Sequence, residues 1–284
     1  MDAITPADPV QSYRERLPAP HLAGLVSSVW IQQVEAGGEA YEHRTVPNGS
    51  VEISHALGTD VLSVTGPQRT PTVGLLAPGS TVVGIRLRHG VAPSILGLPA
   101  SELVDLRVGG DDLWGRRGTT LAERLAEAGS AEGVTLLLEE EVGRRFADET
   151  GPDRLVSAAL RRLQPWMTGD VDGLASSLEI SPRQLRRRFV AALGYGPKAL
   201  QRILRFQGFL ALSQDHHGKS TGLARLAREA GYADQAHLTR ASRELAGLSP
   251  KAFLEEMWRS CGSNHDHNVS YAGLRRALLT RPQA

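Results

Sequence analysis

Two stretches of this sequence are versions of one another, and that duplication limits the possible fold more than any other feature. The first is "LASSLEISPRQLRRRFVAALGYGP" (174–197) and the second is "LAREAGYADQAHLTRASRELAGLSP" (226–250). Aligned on Ala175 and Ala227, each reads as a short helix, a tight turn and a second helix, with a glycine and then a proline at the exit: Gly194 with Pro197, and Gly247 with Pro250. A repeated pattern of this kind is the signature of two helix-turn-helix units, spanning 171–193 and 221–246.

Local chemistry supports each part. Ser181 is an N-cap acceptor, and Pro182 at the first helical position lacks only an N–H that would have no partner there anyway. Leu185, Phe189 and Ala192, four and three residues apart, face the core. Arg183, Gln184, Arg186, Arg187 and Val190 then point outward, with Arg188 on the shoulder of the buried face. In the second unit Asp234 caps, Leu238 faces in, and Gln235, His237 and Arg240 are presented outward. The outer face of such a second helix suits a DNA major groove, where arginine forks onto guanine O6 and N7 and glutamine pairs with adenine. Arg187 is equally suited to a phosphate, which anchors without specifying sequence. Between the units, "PKALQRILRFQGFLALS" carries Leu200, Ile203, Leu204, Phe206, Leu210 and Leu212 on a broad apolar face. A helix of about 16 residues is ~24 Å long, a stiff spacer able to set two recognition helices about one DNA turn, ~34 Å, apart. Gly208 within it has no reason visible in the sequence.

Charge divides the chain near residue 150. Residues 1–150 hold 12 Lys+Arg against 20 Asp+Glu, a net of 12 − 20 = −8, whereas 151–284 hold 20 against 11, a net of 20 − 11 = +9. A basic half beside an acidic one is the distribution expected when one domain meets polyphosphate and the other does not. The acidic half reads first as strands. Val83, Ile85 and Leu87 alternate with Gly84, Arg86 and Arg88, while Val51, Ile53, His55 and Leu57 share a face. Turn residues at 47–49, 65–68 and 77–80 separate the runs, so 1–100 is expected to be a small antiparallel β barrel or sandwich. From about 101 to 150 the period lengthens: Leu121, Leu125 and Ala128, then Val134, Leu138, Val142 and Phe146, describe amphipathic flanking helices suited to dimerisation. The run Glu139 to Glu141 reads as a solvated helix face. "ADETGPD" (147–153) marks the domain boundary, 151–258 is all-α, and 259–284 reads as a flexible tail with one helical possibility near 271–279. The fold class is therefore α+β.

The segment 151–258 resembles the DNA-binding domain of AraC/XylS-type transcription regulators. The second unit of that family runs A-x3-G-F-x-D-x-S-x-F-x-R, then G-x-S-P, and Ala227, Gly231, Tyr232, Asp234, Arg240, Gly247, Ser249 and Pro250 fit it. Ala175, Ser181, Leu185, Arg187, Phe189, Gly194 and Pro197 fit the first. Ala236, Leu238 and Ser242 depart from the pattern, which implies a looser core in the second unit. "VPNGSVE" (46–52) and "LGLPASEL" (96–103) resemble, more loosely, the sensory domain that precedes this module in some members. The resemblance implies a cupin-like barrel that binds a small molecule or dimerises, and double-stranded DNA and RNA polymerase as partners.

For an effector, the strand residues His43, His55, Arg86 and His89 are the candidates, although a lone strand histidine is more often structural. Cys261, His265 and His267 match no zinc spacing, so no metal or other cofactor is expected. There is no Gly-rich phosphate loop, no G-x-S-x-G elbow and no H-E-x-x-H, which argues against an enzyme. The adaptive-response DNA methyltransferase, which joins a similar module to reactive cysteines, is poorly matched by one Cys261. An architectural DNA binder is the other alternative, but two dissimilar outer faces favour sequence-specific regulation, activation included. No apolar run approaches the roughly 20 residues of a membrane span, and the N-terminus has neither a basic lead nor an apolar stretch, so a cytoplasmic protein is expected.

Overall fold

The structure, a computed structural model, describes residues 11–37, 39–147, 151–163, 171–215, 222–261 and 267–279. The N-terminal part is built on an open six-stranded antiparallel sheet in the order β1-β2-β7-β4-β5-β8. Its strands are β1 (Gln11–Arg16), β2 (Val26–Val34), β4 (Glu52–Ala56), β5 (Leu62–Thr65), β7 (Thr81–Leu87) and β8 (Arg107–Gly109). A separate ribbon pairs β3 (Tyr41–Thr45) with β6 (Thr72–Leu76). The two sheets make a sandwich, and the barrel is not closed. β8 falls inside the segment whose periodicity had suggested helices alone.

The alternation in the sequence decides the two faces. Val83, Ile85 and Leu87 go to one side with Val29, Ile53 and Val64, and they pack on Leu121, Leu125, Val134, Leu138 and Val142. Those last residues come from α3 (Arg116–Glu127) and α4 (Ala131–Ala147), which follow the short helices α1 (Ala92–Leu96) and α2 (Gly110–Trp114). On the opposite face Trp30 lies across from Gly84, where any Cβ would overlap the indole ring.

The acid run on α4 is not a solvated face. Glu139 is 5% and Glu141 7% exposed. Glu139 accepts from Arg16 and from the Ala19 backbone N–H, at 2.8 and 2.7 Å, and Glu141 takes Arg144 and Arg145, both at 2.6 Å. Buried carboxylates persist because each has charged partners; Glu140 alone of the three is exposed.

The expected boundary at 147–153 lies partly outside the described residues. Beyond it come α5 (Arg154–Arg162), α6 (Val171–Ser176), α7 (Pro182–Leu193), α8 (Pro197–Asp215), α9 (Leu223–Glu229), α10 (Gln235–Ala246), α11 (Pro250–Cys261) and α12 (Asn268–Leu279). Their apolar faces share one core containing Leu185, Phe189, Phe206, Phe209, Leu238 and Leu245. The helical possibility near 271–279 is a helix spanning Asn268–Leu279 with Tyr271 buried, so the expectation of a flexible tail does not hold for that stretch. The partners that hold it, Glu15 and Gln214, are far away in sequence. Among the described residues no helix is long and apolar enough to cross a membrane.

Candidate nucleic-acid interface and ligand cavity

α7 begins as its sequence requires. Ser181 Oγ accepts from the Gln184 backbone N–H at 3.2 Å, and Gln184 Oε1 accepts from the Ser181 N–H at 2.9 Å, a reciprocal capping box. It ends on Gly194 in the left-handed region, φ +83°. α10 repeats the design, with Asp234 accepting from the His237 N–H at 2.6 Å and Gly247 at φ +75° closing it. A helix so capped has fixed ends, and its outer side chains keep a fixed register.

Leu185, Phe189 and Ala192 are buried, as is Leu238. Arg183, Gln184, Arg186 and Arg187 on α7, and Gln235 and Arg240 on α10, are exposed. The Arg183, Arg186 and Arg187 side chains make no ion pair or hydrogen bond among the described residues, and a Cβ built on Gly196 would lie 3.6 Å from the Arg186 stem. Gln184 is spent on the cap, so a base contact by it has to compete with the Ser181 N–H. His237 is half-buried, its ring edge-on to Tyr232 with centroids 5.1 Å apart. Arg188 differs from its neighbours: it pairs with Asp153 at 2.6 Å, and Asp153 also caps α5 by accepting from the Leu155 and Val156 N–H groups.

α8 holds the units together. Its 19 residues span about 28 Å, slightly more than the sequence suggested. Arg202 on α8 pairs with Glu244 on α10 at 2.7 Å, and the Arg205 guanidinium lies over the Tyr232 ring at 5.8 Å. The smaller residues of the second unit do not leave it open. Leu238 and Ser242 are fully buried, and Ser242 Oγ donates to the Leu248 carbonyl at 2.8 Å.

A cavity of about 720 Å³ lies between the sheet face and the helical domain. Tyr13, Trp30, His43 and Arg86 line it from the sheet side, and Phe253 and Tyr271 from the helical side. His43, Arg86 and His89 are thus brought to one cavity, whereas His55 is not. It shares the Val51 and Ile53 face of β4, is fully buried, and has neither ring nitrogen hydrogen-bonded. Arg86 is the hub, bonded to Glu52 at 2.8 Å, Glu15 at 2.9 Å and the Tyr13 hydroxyl at 3.2 Å. Burial works to lower its pKa, but Glu52 and then Tyr13 and Glu15 outweigh it and hold the guanidinium well above its ordinary value. Burial likewise works to raise Glu15, and the His267 hydrogen bond and the Arg86 charge reverse that, holding it well below the usual carboxylate range. His43, 3.0 Å from Gln32 Nε2, is pushed down to about 4 by burial. His89 Nε2 lies 3.1 Å from the Asn48 carbonyl, and burial lowers it too.

Sequence reasoning missed Glu15, Glu52, Tyr13 and Trp30, whose only local signal was their place on the polar face of alternating strands. Among the described residues no group of three or more His, Cys, Asp or Glu side chains is arranged to hold a metal. The Cys261 side chain and His265 lie outside them, while His267 is turned to Glu15 at 3.3 Å.

Residues 14–109 match a domain of unknown function, DUF6597, and residues 174–256 match a helix-turn-helix domain. No curated protein matches the chain. Three solved structures of ToxT from Vibrio cholerae are similar at 10% identity. One from O395 covers 86% of this chain and 98% of its own, with a TM-score of 0.42. A second, at 1.65 Å resolution, has the same coverage and a TM-score of 0.44. The third, bound to (E)-4-(8-methylnaphthalen-1-yl)but-3-enoic acid, covers 87% and 99% with a TM-score of 0.43. With two capped second helices, one spacer helix and one shared core, residues 174–256 are an AraC-type helix-turn-helix domain, the DNA-binding part of a transcription regulator.

Proposed function

We propose that the protein binds a bipartite operator by placing α7 and α10 in successive major grooves, and that the N-terminal domain modulates this binding in response to a small molecule. The observation that carries the reading is the division of both second helices. One side is sunk in the shared core, and the other offers Arg183, Arg186 and Arg187, or Gln235 and Arg240, to solvent. Arg186 and Gln235 are assigned to base edges and Arg187 to phosphate, with Arg183, Gln184, His237 and Arg240 as further contacts. RNA polymerase and a second copy of the chain are the proteins such a regulator would engage.

For the effector, the support is the cavity itself. Its volume falls within the usual range for small-molecule sites, and its walls combine aromatic faces with polar and charged side chains at the junction of two domains. A ligand there touches both the sheet and the helical domain, which is what coupling requires.

Selection of duplexes from a random pool by the full chain tests the DNA reading. Recovery of two half-sites about ten base pairs apart is the expected result. Enrichment of no sequence, with binding intact, would replace it by a non-specific architectural role.

A further inference from the structure

The C-terminal helix α12 is seated between the two domains, and its seat is specific. At its start, the Glu15 carboxylate on β1, with no exposure, accepts from the Ser270 backbone N–H at 2.8 Å and lies 3.3 Å from His267 Nδ1. The third N–H of a helix has no intrahelical acceptor, and the positive end of the helix favours a carboxylate, so Glu15 caps α12 from another element. The His267 ring sits between Tyr13 and Tyr271, with centroids 4.4 and 5.1 Å away. Farther along, Arg275 donates to Gln214 on α8 at 3.2 Å. Gly208, unexplained in the sequence, is where Leu278 comes down on α8: a Cβ there would lie 3.3 Å from Leu278 Cδ1. Gly208 leaves room for a second helix.

We propose that α12 is a detachable latch over the interdomain cavity. Tyr271, Leu274 and Ala277 form part of the cavity wall, so lifting α12 widens its opening to solvent. Detachment is cheap compared with unfolding, because Tyr271 is the one buried side chain among the described residues of the helix. Segments with few buried apolar groups open first. The latch governs entry whatever the cavity takes, and rests on the effector reading only in its use for regulation.

The test uses the full chain with Trp114, Trp166 and Trp258 changed to Phe, leaving Trp30 on the cavity wall as a reporter for acrylamide, which is no effector. Glu15→Gln keeps the size of the side chain and removes the charged acceptor. Amides of 268–279 should then exchange about tenfold faster, and Trp30 should become more quenchable, with exchange in α3 and α4 unchanged. Leu274→Asp, which alters α12 and no strand, should do the same, and it decides the matter if Glu15→Gln disturbs the sheet. The proposal is overturned if α12 loosens in either variant without any gain in Trp30 quenching, or if exchange over 268–279 is unmoved in both. Neither result bears on whether the cavity binds an effector, which is read separately by ligand-dependent DNA affinity.

Discussion

Two neighbouring arginines on α7 should separate recognition from stability. Arg186→Ala removes a guanidinium that has no ion pair or hydrogen bond among the described residues, and a stem that passes beside Gly196, 3.6 Å from where a Cβ would stand. The change in folding stability should stay within about 0.5 kcal/mol, as for other surface positions. If Arg186 forks onto a guanine, its loss costs about 1–3 kcal/mol at the selected operator, about 5- to 150-fold in Kd. Arg188→Ala is the mirror case. It breaks the 2.6 Å pair with Asp153, whose partners' side chains are 41% and 27% exposed, so screening limits the loss to under about 1 kcal/mol. Asp153 keeps both of its cap bonds to α5, and DNA affinity should hardly move. Fluorescence anisotropy on the selected and a scrambled duplex, at several salt concentrations, reads the difference. Arg186→Ala should weaken the selected duplex far more than the scrambled one. Equal loss on both, with the log K against log salt slope shallower by about 0.9, would make Arg186 a phosphate contact. An Arg188→Ala defect on DNA as large as that of Arg186→Ala would refute the division of α7 into an outer and a tethered face.

The other expectations concern stability. Ser181→Ala removes the acceptor for the Gln184 N–H and should lower stability by about 1 kcal/mol, measured as a shifted urea midpoint with unchanged slope. Gly84→Ala drives a methyl into the Trp30 indole and should cost about 1–3 kcal/mol together with a change in the Trp30 near-ultraviolet signal; wild-type behaviour in both would contradict the Trp30 placement. Acidification should destabilise the protein between pH 6.5 and about 4 through His43. Its folded value lies below the ordinary one because of burial, so above 6.5 both states are neutral and nothing is lost. Between the two values the unfolded chain takes a proton that the folded ring refuses, and stability falls with pH. A displacement from 6.5 to about 4 is worth at most about 3 kcal/mol. Urea titrations across this range should show a smaller decline for His43→Asn, and an identical decline would place the cause elsewhere.

What could be read in the sequence was whatever neighbouring residues settle among themselves. Ser181 with Gln184, Asp234 with His237, and Gly194 and Gly247 at the helix ends act within a few positions, so the two units were legible in outline and in register. The strand alternation was legible for the same reason, and it put Arg86 and Glu52 on one face and Ile85 and Ile53 on the other. The pattern could not say what each face would meet. Glu139 looked solvated because its partners, Arg16 and the Ala19 N–H, come from 123 and 120 positions earlier in the chain. Glu15 gave no signal beyond strand alternation, since its partners Arg86 and Ser270 are brought to it only by the fold. Gly208 is the sharpest instance. Within its own helix it is a small cost in propensity with no return, and it acquires a reason only when Leu278, seventy positions on, lies against it. A residue that breaks a local rule thus pointed to a contact between elements, here the docking of the last helix on the spacer that sets the two DNA-binding units apart.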